Sequence, residues 1–84
     1  MSDEKAKKLF EKGTNFYKEK KLDLAQNSFE EALKYSPKRS SILKNLALIY
    51  FLNKNYKKSN EVLIKLENQN IDDKDLNDLK FKVL

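Results

Sequence analysis

Eighty-four residues set the scale of one domain with a modest core. One glycine and one proline leave little turn chemistry for a β architecture, and the abundant Lys, Leu, Glu and Ala favour helices. The absence of cysteine and histidine excludes disulfides, thiolate metal sites and histidine general-base chemistry, and the formal charge of +5 rests on 18 basic residues of which only Arg39 is arginine.

The chain opens Met1-Ser2-Asp3-Glu4-Lys5 with no apolar stretch behind it, so no secretory signal is expected. Leu9, Gly13 and Phe16 then recur at helical spacing and predict a first helix near 4–19. A polar connection, Lys18-Glu19-Lys20-Lys21-Leu22-Asp23, leads to Ala25, Phe29 and Ala32 on one face of a second helix near 23–36, with Pro37 placed to stop it. Ser40, a candidate N-cap, opens a third helix near 40–53. Its stretch Ile42–Leu52 is apolar nearly all round, which predicts burial on most sides. The longest apolar run, Leu46–Leu52, is far short of the roughly 20 residues a membrane span needs. The expectation is therefore a soluble, cytoplasmic chain with no membrane partner. A fourth helix near 57–69 and a fifth near 73–84, with Asp73 as its cap, complete the reading.

Sliding the chain on itself by 34 residues aligns the apolar columns. Leu9 meets Leu43, Gly13 meets Ala47, Phe16 meets Tyr50, Leu22 meets Tyr56, Ala25 meets Ser59 and Phe29 meets Leu63. The first unit reads Leu9-x2-Lys12-Gly13-x2-Phe16, then Ala25-x3-Phe29-x2-Ala32, then Pro37. The second reads Leu43-x2-Leu46-Ala47-x2-Tyr50, then Ser59-x3-Leu63-x2-Leu66. This pattern resembles the tetratricopeptide repeat (TPR) family, with departures at Lys12, Leu66 and Ile71. The departure at Leu66 predicts a looser or shifted second hairpin. The resemblance implies an all-α fold: a right-handed superhelix of antiparallel helix hairpins, five helices in all. One domain spans 1–84, with repeat one at 6–39, repeat two at 40–73 and a capping helix at 74–84.

A second column marks the ends of the stack. Ile42 and Ile49 should pack back on the first repeat, while their counterparts one period earlier, Lys8 and Asn15, are polar. One period later Leu76 and Val83 are apolar, so the last helix should dock on the second repeat and leave the array complete at both ends.

The resemblance implies an interaction module, an adaptor or scaffold, that holds a partner peptide or helix in a concave groove. The groove residues implied are Lys7, Phe10, Thr14, Tyr17, Lys18, Lys44, Leu48, Phe51 and Leu52, with Ser41 beside them. Apolar anchors rimmed by lysines suit a protein partner with bulky apolar residues and acidic neighbours; cover from the last helix is the competing reading. The carboxylate clamp of chaperone-binding relatives would need positions occupied here by Phe10, Thr14, Asn45, Asp75 and Leu79, and only Asn45 fits.

A homodimer could use Leu52, Phe81 and Leu84. Residues 34–58 hold seven basic side chains and no acid, but Arg39 is the one arginine among them, which argues against nucleic acid, and Tyr50 and Tyr56 read as core residues rather than a stacking platform. Asp72, Asp73, Asp75 and Asp78 lack the glycine and closing glutamate of a calcium loop. No catalytic residue, metal or cofactor is expected.

Overall fold

The computed structural model describes residues 3–69. Those residues form four helices: α1 (Asp3–Lys18), α2 (Leu22–Tyr35), α3 (Ser40–Leu52) and α4 (Tyr56–Asn68). No strand occurs among the described residues, and none of their helices is long and apolar enough to cross a membrane. The first four expected helices each fall within a residue of the observed bounds. The fifth expected helix, with Asp73, Leu76, Phe81, Val83 and Leu84, lies outside the described residues.

Neighbouring helices pair in chain order, α1 on α2, α2 on α3 and α3 on α4. Small residues set the closest approach. Gly13 is buried on α1, and a Cβ added there would lie 2.7 Å from Cε1 and 2.8 Å from Cδ1 of Phe29. In the second hairpin the matching positions are Ala47 and Ser59, both fully buried. The Ser59 hydroxyl donates to the Ala47 carbonyl oxygen across the interface at 2.8 Å, so the polar atom is satisfied where it is buried. Leu66 is likewise fully buried, within an uninterrupted α4.

Two joined clusters make the core. The larger contains Phe29, Leu43, Leu46, Ile49, Tyr50, Leu63 and Leu66, and the smaller contains Ala6, Ala32 and Ile42. Phe10 and Leu33, both half-buried, pack against each cluster and bridge them. Ile42 and Ile49 are buried while Lys8 and Asn15 are exposed, which is the asymmetry their columns predict.

The 34-residue period reappears in the turns. Lys20 and Lys54, one period apart, both adopt left-handed backbone, with φ of 63° and 65°. In each turn the following residue donates to a carbonyl five residues back: Lys21 to Phe16 at 2.9 Å and Asn55 to Tyr50 at 2.8 Å. Lys20 and Lys54 themselves donate to the carbonyls of Tyr17 and Phe51, each at 2.9 Å. This paired pattern is a Schellman cap, which usually places glycine at the left-handed residue.

Two local readings are corrected. Ser40 is the first helical residue of α3, Arg39 holds the cap position, and no side chain caps this helix. The described side-chain cap belongs to α4, where Asn55 Oδ1 accepts from the Lys58 N–H at 3.4 Å. Tyr56 is not a core residue. It starts α4 beyond the core's edge, is 47% exposed, and its ring lies tilted against Phe51 with centroids 5.3 Å apart.

Two substitutions test this packing. Gly13→Ala removes glycine's helix penalty of about 1 kcal/mol yet should lower stability by roughly 1–2 kcal/mol, because the buried Phe29 ring must move; urea unfolding measures the difference. Lys20→Gly and Lys54→Gly should each raise stability by roughly 0.5–1 kcal/mol by relieving left-handed backbone; unchanged or lower midpoints would contradict the turn geometry.

Candidate functional site

A cleft of about 240 Å³ runs between α1 and α3 with α2 beneath it. Thr14, Tyr17 and Lys18 form one wall, Asn45, Leu48 and Ile49 the other, and Phe29 lines the floor. The lining follows from the repeat. Gly13 admits Phe29 under α1, so the ring that closes the first hairpin also closes the cleft. Tyr17 and Lys18 also border a second depression of about 440 Å³, shared with Lys20, Leu22 and Leu52. The two therefore adjoin at Tyr17 and Lys18.

The structure gathers part of the groove set and disperses the rest. Thr14, Tyr17, Lys18 and Leu48 line the cleft, and Leu52, 41% exposed, lines the depression beyond it. The Thr14 hydroxyl is already used, donating to the Phe10 carbonyl at 2.9 Å. Phe10 belongs to the core side: its ring packs against Phe29 with centroids 5.6 Å apart. Phe51 turns toward Tyr56. Lys7 and Lys44 do not line the cleft, and Lys44 is half-buried and already engaged. Sequence reasoning set aside Asn45 and missed Phe29 and Ile49 as lining residues, because it took each as spent on another role. Projecting both first helices with the floor helix would have found them.

The cleft's width is set by how the hairpins meet, and a polar network fixes that junction. The Tyr50 hydroxyl on α3 donates to Glu30 Oε2 on α2 at 2.5 Å. Gln26 Nε2 donates to the same oxygen at 3.4 Å, and Asn53 Nδ2 donates to Gln26 Oε1 at 2.9 Å. The Lys58 ammonium stands 5.7 Å from the centre of the Tyr50 ring. Burial, then the hydrogen bond and charge of Glu30, then the charge of Glu61, push the Tyr50 phenol well above its ordinary pKa of 10.0. A charge-assisted bond of this kind contributes more than a neutral one. At the other end Asp3 ties α1 to the α2–α3 loop: it accepts from the Ser36 hydroxyl at 2.7 Å and pairs with Arg39 at 3.6 Å.

Among known proteins, the family profile for the tetratricopeptide repeat matches residues 16–82. No curated protein and no solved structure matches the chain.

The Tyr50–Glu30 bond carries a pH signature. Between neutral pH and pH 10 the phenol is neutral in both states and the bond contributes in full. As pH rises past 10 the unfolded tyrosine ionises first, so stability drains away until the folded phenol ionises too. Tyr50→Phe should cost about 1–2 kcal/mol at pH 7. It should also lose less stability than the parent chain on raising the pH through that window, as thermal unfolding would report.

Proposed function

The chain belongs to the tetratricopeptide repeat family, and on that premise we propose that it is a non-catalytic adaptor holding an extended or helical segment of a partner protein in the α1–α3 cleft. Tetratricopeptide repeats generally mediate protein–protein interaction. The observation that carries the finer reading is the cleft itself: an apolar floor and wall from Phe29, Leu48 and Ile49, with Tyr17, Lys18 and Asn45 at the rim. Such a mix of apolar anchors and a few polar groups suits an inserted side chain. Lysine at the rim favours a partner with acidic residues beside its apolar anchors. In this reading the domain is one unit of two repeats, 6–39 and 40–73, with a capping helix at 74–84, stacked as a right-handed superhelix. Its working place is the cytoplasm.

A homodimer would use the same apolar strip through Leu48 and Leu52. Light scattering separates the two readings: a monomer keeps the strip for another protein, whereas a stable dimer gives it to a second copy.

Replacing Tyr17 and Leu48 together by Ser should weaken capture of the partner by ten- to a hundredfold, because a few central anchors dominate such interfaces. The helical circular dichroism signal should persist, since both side chains are only partly buried. Undiminished capture by the double variant would refute the cleft assignment.

A further inference from the structure

The two intra-repeat turns lie side by side at one end of the hairpins. Lys20 of the first turn shares a depression with Leu52, which leads into the second, and Asn53 of the second turn reaches Gln26 on α2. At this edge three local preferences are broken, each time by lysine. Lys20 and Lys54 both hold left-handed backbone, where glycine would be less strained. Lys57 sits in the first turn of α4, which carries no acid, although the positive end of the helix dipole favours one. Local rules broken together at one place point to a requirement other than folding.

Lys18, Lys20, Lys54 and Lys57 are exposed, and no ion pair engages them among the described residues. The nearby ion pair is Glu19 with Lys21 at 3.2 Å. The edge therefore carries more lysines than acids, with Glu19 and Asp23 as the acids of the first turn and none in the second. It is not purely polar. Leu22, Leu52 and Tyr17 line the depression between Lys18 and Lys20, and Tyr17 and Leu52 are about two-fifths exposed.

We propose that this turn edge is a second docking surface, for an acidic protein segment that carries a bulky apolar side chain. Four lysines spread over two turns and the helix ends beside them offer point charges without the fork that phosphate recognition favours, which suits carboxylates spread along a peptide. The apolar part is a concave slot, fit to receive a side chain, whereas insertion into a bilayer requires apolar groups that protrude. The Tyr56 ring rests against Phe51 at a tilt of 57°, so the two rings form no parallel platform for successive bases. With the cleft on the α1–α3 face, the edge would let one module join two segments, or two parts of one partner.

The test uses a fluorescein-labelled peptide with leucine flanked by glutamates, followed by anisotropy on the full chain. The parent should bind it, and affinity should fall as salt rises. Lys20→Gly with Lys54→Gly should weaken binding about tenfold while the melting temperature rises or holds, which separates the charge from the fold. Lys57→Gln, which leaves both the left-handed residues and the cleft rim alone, should weaken it about threefold. Leu48→Ser should retain most of the binding, because Leu48 lines the cleft and no part of the edge depression. The proposal is overturned if the double-glycine variant binds as well as the parent, if Leu48→Ser abolishes binding, or if phosphatidylserine vesicles or duplex DNA displace the peptide more readily than its own unlabelled form.

Discussion

The ring of Phe29 occupies the space that a side chain on residue 13 would need, and much of the described structure is arranged around that contact. With Cβ absent, α1 settles onto α2 closely enough for Phe29 to be buried beneath it. The same ring then supports Phe10 on one side and floors the cleft facing α3. One glycine thus determines a hairpin, a core contact and a concave surface together. The second hairpin meets the same demand for close approach with different chemistry. Ala47 replaces the glycine, Leu63 the phenylalanine, and Ser59 adds a buried hydroxyl that finds its acceptor on the facing helix. Leu66, in a column where the first repeat has alanine, is buried without breaking α4.

The helices and their pairing were legible because the repeat writes its packing in size. A small residue facing a large one, twice over at one period, fixes which faces meet and in what order. What such columns lack is position relative to an element's end. Tyr56 shares a column with Leu22, yet it starts α4 where the core has already tapered, so about half of the residue is exposed. Phe51 shares a helix with the cleft-lining Leu48 but sits almost a full turn later and is drawn to Tyr56. Phe10 reads as an open groove position until the Phe29 ring is placed beside it. The middle of the groove set therefore lines the cleft, while Phe10 and Phe51 toward its ends do not.

The polar features were less legible still. Gln26, Glu30 and Asn53 each look like ordinary surface residues. Their roles come from partners 20 to 27 residues away in sequence, on a helix whose rotation the apolar columns fix only approximately. The left-handed turns were hidden for a different reason. Glycine or asparagine normally announces such a residue, and lysine announces nothing. The one available signal was periodic, since Lys20 and Lys54 are the same residue type one repeat apart.

That coincidence separates what the turn contributes to folding from what its side chain contributes to the surface. The hydrogen bonds of each Schellman cap run between backbone groups, from Lys21 to Phe16 and from Asn55 to Tyr50, and would form with any residue able to hold the left-handed conformation. The fold therefore asks for backbone freedom at 20 and 54 and gains nothing from an ammonium group there. Lysine at both positions adds strain, and with Lys18 and Lys57 it adds repulsion among exposed like charges. Stability carried by Phe29, the Tyr50–Glu30 bond and the buried columns is sufficient to hold these turns in place. The charge of this edge is thus supported by the fold without being required by it.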